Sequence, residues 1–144
     1  MKRHMTRHGI LRIVAKLLIP YIFLFALYVQ FHGDYGPGGG FQAGVIFAAG
    51  IILYALMFSL ERALDVFHPR LMEILAASGV LLYAGVGVVC MAKGGAFLDY
   101  NVLAHDHHHG QHLGIFLVEL GVGITVTAAM TSIFFAFVNR ERST

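Results

Sequence analysis

Apolar residues gather into four long runs along the chain, Ile10–Phe31, Phe41–Leu60, Leu71–Ala92 and Leu113–Val138, and polar residues collect between them. Each run holds 20 to 26 residues. At about 1.5 Å per residue, each is long enough to cross a hydrocarbon layer of about 30 Å. The second run contains no charged residue, the third only Glu73 near its start, and the fourth only Glu119. A bilayer interior offers the backbone no hydrogen-bonding partner but itself, so the runs predict helices. The expected architecture is all-α: one domain over 1–144, an integral membrane bundle of four transmembrane helices.

The cationic residues orient this bundle. Lys2, Arg3, Arg7, Arg12 and Lys16 lie at the N-terminal end, Arg62 and Arg70 between the second and third runs, and Arg140 and Arg142 after the fourth. Only Lys93 falls on the other side. The excess of Lys and Arg on cytoplasmic loops predicts both termini in the cytoplasm, which an even number of spans allows. The first run is longer than a signal-peptide core and has no A-x-A site, so it is expected to be retained as a span. Pro20 within it predicts a kink.

Composition agrees. Of 144 residues, 58% are hydrophobic and 12% charged, against about 25% charged in soluble domains. Cys90 is the single cysteine, which excludes an internal disulfide and a thiolate cluster and suits a small buried hydrophobe. No basic stretch interleaved with aromatics lies outside the apolar runs, which argues against nucleic-acid binding.

Two loops carry the remaining polar chemistry. Between the first two runs the chain reads His32-Gly33-Asp34-Tyr35-Gly36-Pro37-Gly38-Gly39-Gly40. Proline fixes one φ and glycine permits φ > 0, so a tight reversal is expected. Three glycines in succession also allow close approach to a partner or a cavity. The second loop, 93–112, holds His105, His107, His108, His109 and His112. Imidazoles are metal ligands and titrate near neutrality. The readings here are a solvated polar loop with opportunistic metal capture, a specific metal site, or a pH sensor.

Glu119 lies about two turns into the fourth run, roughly 9 Å deep at helical rise. An acid at that depth is costly to keep ionised and faces the bundle interior or water. It suits a proton or cation pathway, or a hydrogen bond that joins helices. Asp34, Lys16, Glu73 and Thr125 are candidate supporting groups, with Lys16 and Glu73 near the same surface as potential ion-pair partners. Gly121/Thr125, Gly123/Thr127 and Gly40/Gly44 are small-xxx-small pairs that favour close helix packing in lipid. No nucleophile-base pair, complete metal motif or cofactor fingerprint is present, so neither catalysis nor a bound cofactor is expected. No internal repeat of the kind many transporters use is visible, and the expectation is a subunit of a larger assembly.

Gly36-Pro37-Gly38-Gly39-Gly40-Phe41, followed by Gly44, resembles the signature of the B subunit of Mrp-type sodium/proton antiporters, and Glu119-Leu120-Gly121-Val122 is similar to the acidic-Leu-Gly-Val stretch of that family's last helix. The likeness in layout covers about residues 10–138. It implies a small subunit of a multisubunit Na+/H+ antiporter in a prokaryotic plasma membrane, partnered by other antiporter subunits that include large complex-I-like ones. It also implies cation or proton handling at Glu119, and subunit contact or coupling through Gly36–Phe41 and Gly44. A structural subunit of a related redox-driven complex and a metal-handling protein built on the histidines are the alternatives.

Overall fold

The computed structural model describes residues 2–33, 38–104 and 107–142, with side chains described over 9–33, 38–104 and 109–140. Five α-helices form among them: α1 (Lys2–His32), α2 (Gly40–Phe58), α3 (Leu60–Val66), α4 (Pro69–Ala92) and α5 (His107–Arg142). A short 3-10 turn covers Tyr100–Val102. Four of the helices are long and apolar enough to cross a membrane, over Gly9–His32, Gly40–Phe58, Pro69–Ala92 and His109–Arg140. The expected all-α fold with four membrane helices is the observed one.

The helices stand as a row rather than a closed square. α2 and α5 are central and pack on one another; α1 packs along α2, and α4 along α5. α1 and α2 run antiparallel, and Arg12 Nε donates to the Met57 carbonyl at 3.1 Å. α2 and α5 run parallel, with the first turn of α2 against Glu119. The start of α1 and the end of α5 therefore lie on the same side of the bundle along the helix axes, called here the terminal end.

Small side chains set these contacts. Among the buried positions of α2, Gly40, Gly44, Ala48, Ile51 and Ala55 recur at three or four residues and form one face, while Gly50 lies against Phe23 of α1. That face brings α2 close to α5, where Thr127 Oγ1 donates to the Gly44 carbonyl at 3.2 Å. On the other side of α5, Gly79 faces Gly121 and Thr125. The terminal end is closed by a core of Ile51, Ala55, Leu60, Ala63 and Phe135.

Three details depart from the sequence pattern. The second run ends at Phe58, and Ser59 at φ +116° breaks it before α3 begins. Leu60 thus belongs to a short surface helix, with Leu60 and Ala63 buried beneath it. α4 starts at Pro69, where the missing N–H of proline costs nothing. α5 starts at His107, so the second half of the histidine-rich segment is helix rather than loop. Once a helix is nucleated, each added residue is cheap, so α5 runs past the apolar stretch at this end, as α1 does at its own start. α1 is helical through Pro20.

Candidate functional site

The loop between α1 and α2 brings the two sequence features together. Gly38 has φ +142°, the left-handed side that only glycine occupies freely, and Gly39 leads into α2. Glu119 comes up from α5 into this junction. The place a Cβ would take at Gly39 lies 2.7 Å from Glu119 Oε1, and at Gly33 it lies 2.5 Å from Oε2. A Cβ at Gly40 would overlap the Glu119 main chain. The glycines are therefore the floor on which the carboxyl rests. Glu119 is half-buried there, between the C-terminal end of α1 and the N-terminal end of α2.

The fields at those two ends have opposite sign. The first N–H groups of α2 carry positive partial charge, and the last carbonyls of α1 carry negative. Gly39, the residue before α2, has no side chain to cap those N–H groups.

Other predicted residues fall elsewhere. Thr125 faces α4, where a Cβ at Gly79 would meet its main-chain N at 2.9 Å, and its hydroxyl donates within α5 to the Gly121 carbonyl at 2.9 Å. Lys16 is exposed on α1 and Glu73 exposed on α4, and these helices occupy opposite ends of the row. Glu73 shares a cleft of about 290 Å³ at the terminal end with Ser132 and Asn139. Gly44 packs on Gly123 and Val126, while Phe41 is turned outward, 63% exposed. His109 and His112 lie one turn apart on α5. No group of three metal-ligating side chains is present among the described residues. Asp34, Gly36, Pro37 and His105 lie outside the described residues, as do the side chains of His107 and His108.

In the α4–α5 connection, burial pushes the Tyr100 phenol above its usual range, reinforced by Tyr83 and Cys90. It is neutral at physiological pH and adds no charge near the site.

Two polar residues that the sequence reading passed over are buried within the spans. Gln30, 6% exposed on α1, places its Oε1 2.7 Å from where a Cβ at Gly123 would sit. Thr131 on α5 is fully buried. Gln30 Nε2 and Thr131 Oγ1 have no hydrogen-bond partner among the described residues. The signal that finds them is their polarity within otherwise apolar runs. A cavity of about 350 Å³ extends from Gln30, past Gly44, Gly123 and Thr127, to Phe67 near the terminal end.

A family profile described as "Domain related to MnhB subunit of Na+/H+ antiporter" matches residues 10–132. Among curated relatives, "Putative antiporter subunit mnhB2" of Staphylococcus aureus strain Newman is 34% identical over 127 residues, covering 86% of this chain and 89% of its own length. The protein of that name in Staphylococcus haemolyticus is 34% identical over 131 residues, covering 88% and 92%.

Proposed function

The chain belongs to the MnhB family, and on that premise we propose that it is a small membrane subunit of a multisubunit Na+/H+ antiporter in which Glu119 takes up and releases the moving proton or cation. The observation that carries this is the seat of the Glu119 carboxyl on Gly33 and Gly39. An ionised carboxylate there is favoured by the N–H groups that open α2, and a protonated one faces the carbonyls that close α1. A group that must cycle between two states needs a site that tolerates both.

The complex sits in a prokaryotic plasma membrane, and both termini of this subunit are cytoplasmic, a reading that the Lys and Arg distribution supports. Its partners are the other antiporter subunits, large complex-I-like ones included. The subunit contributes ion handling and assembly, and no catalytic chemistry of its own.

The test is Glu119→Gln in the assembled complex, with exchange followed as sodium-dependent proton movement in everted vesicles. Exchange is expected to fall by about 100-fold, the scale of losing a positioned proton carrier, while the partner subunits still co-purify. Unchanged exchange sinks the role. A second reading makes Glu119 a fastener between α1, α2 and α5, favoured by the contact of its main chain with Gly40. That reading predicts normal exchange in whatever complex Glu119→Gln still forms.

A further inference from the structure

On one face of the row the seam between α4 and α5 opens into two clefts. One, of about 170 Å³, lies beside Val80 and Thr125. The other, of about 290 Å³, lies beside Glu73, Ser132, Ala136 and Asn139. Glu73 and Val80 stand seven residues apart on α4, and so do Thr125, Ser132 and Asn139 in succession on α5. Residues seven apart return to nearly the same side of a helix, so the two clefts are parts of one groove along the seam. The cavity beside Gln30 opens on the opposite face, through Leu71 and Thr127.

Three polar side chains at the terminal end of this groove stand without partners. Glu73 and Asn139 are exposed and Ser132 is half-buried, and their side chains make no hydrogen bond or ion pair among the described residues. Elsewhere in the spans hydroxyls satisfy themselves on their own helix, Ser78 on the Leu75 carbonyl and Thr125 on that of Gly121, both at 2.9 Å. Ser132 does not. Glu73 lies one turn inside a span that begins at Pro69, and Ser132 lies about 12 Å along α5 from Arg140 at helical rise. Nine of the ten Lys and Arg residues lie toward this end, yet no ion pair with Glu73 forms among the described residues. A carboxylate left alone against lipid costs free energy that an apolar residue would avoid.

The three groups have acceptor oxygens in common: a carboxylate accepts only, and a serine hydroxyl and an asparagine amide oxygen accept as well. Their complement is a cation rich in donors. Ser132 and Asn139 are about 10 Å apart along the helix, too far to join in one shell around a metal ion, whose ligands sit at about 2.5 Å. A long side chain laid along the groove reaches them instead. Lys carries three donors and Arg five, and either stem can lie on the apolar wall of Phe135 and Ala136. Membrane helices bear Lys and Arg at their cytoplasmic ends, the end at which this groove holds Glu73. Farther along, Val80 and Thr125 are short enough for a third helix to come close, and a seven-residue repeat suits the crossing of about +20° usual in membrane bundles.

We propose that the α4–α5 groove receives a transmembrane helix of another antiporter subunit, whose Lys or Arg at the cytoplasmic end of its span enters the cleft and pairs with Glu73. Ser132 and Asn139 take its remaining donors. The proposal rests on the multisubunit assembly proposed above and locates the surface by which this chain holds one neighbour. A second copy of this chain is the competing occupant, since Lys16 is exposed on α1 at the same level of the bundle. That contact would join the α1 edge of one copy to the α4 edge of the next. Such head-to-tail contacts continue into a ring or an open filament, whereas a neighbour of a different kind closes the groove once.

The experiment uses the intact complex in its own membrane. Photoreactive benzoylphenylalanine in place of Tyr83, an aromatic residue that lines the groove, is expected to cross-link a different membrane subunit, on a helix with Lys or Arg at its cytoplasmic end. Glu73→Lys should lower recovery of that subunit with this chain about tenfold, because like charges meeting at an interface repel strongly. Changing the partner's Lys or Arg to Glu should restore recovery with Glu73→Lys. Full recovery with Glu73→Lys overturns the proposal, as does a cross-link confined to lipid, to this chain or to a second copy of it. Should Glu73→Lys fail to accumulate, Glu73→Gln keeps the shape and decides in its place, with an expected loss of about fivefold. Exchange lost in Glu119→Gln with no cross-link from position 83 removes the groove and leaves the antiporter reading standing. A cross-link to a membrane helix of some other kind of assembly removes the antiporter reading and keeps the groove.

Discussion

A methyl group at position 40 has nowhere to go, because the Glu119 main chain already occupies its place. Gly40→Ala must push α2 away from α5, and overpacking of this kind costs at least about 1–3 kcal/mol. Gly85 is the matched control, since a Cβ there meets nothing within 4 Å. Thermal unfolding in detergent should show a large loss for Gly40→Ala and none for Gly85→Ala; equal behaviour of the two contradicts the close contact. Ser59 offers the opposite case. Its φ of +116° is strained for a residue with a Cβ, and such strain costs of order 1–3 kcal/mol. Ser59→Gly is therefore expected to raise the melting temperature, and a fall would mean that the serine hydroxyl matters more than its backbone.

At the scale of elements, the α2–α5 contact is made by small residues and includes an interhelical hydrogen bond from Thr127 to the Gly44 carbonyl. Such bonds in membrane proteins average about 0.6 kcal/mol. Thr127→Val should thus lower stability only slightly, and a loss near that of Gly40→Ala would assign the hydroxyl a larger part in packing. The four spans were legible from the sequence because 20 or so apolar residues in lipid leave the backbone no alternative to helix. Gly38 in the left-handed region was legible for a similar local reason. The helix boundaries at His107 and Leu60 were not, since hydropathy falls silent where a helix leaves the apolar layer. Glu119 could be picked out as a charge within a span, and the glycine turn as a motif. Their meeting could not, because it depends on α2 and α5 running side by side across 79 residues of sequence. Thr125, only six positions from Glu119, faces a different helix, and helical phase rather than proximity in sequence decides this.

For the whole molecule, orientation in the bilayer is the property that charge predicts. Nine of the ten Lys and Arg residues lie toward one surface and Lys93 toward the other. A single cysteine placed at Gly94, in a Cys90→Ala background, should react with a membrane-impermeant thiol reagent added to intact cells. A cysteine at Ser143 should react only after lysis. The reverse pattern inverts the topology and would bring the terminal end, with Glu73 and Asn139, to the outside.

The row arrangement of the helices also constrains how the protein is made. α1 and α2 can pair as soon as both have left the ribosome, but α4 finds its main partner only in α5. α5 is synthesised after the other four helices, and it occupies a central place in the row. A chain interrupted before Leu113 would therefore leave the hairpin and α4 apart in the bilayer, each with its small-residue face uncovered. Biogenesis is in this sense all-or-nothing: incomplete chains should be removed by membrane quality control rather than accumulate as partly folded subunits.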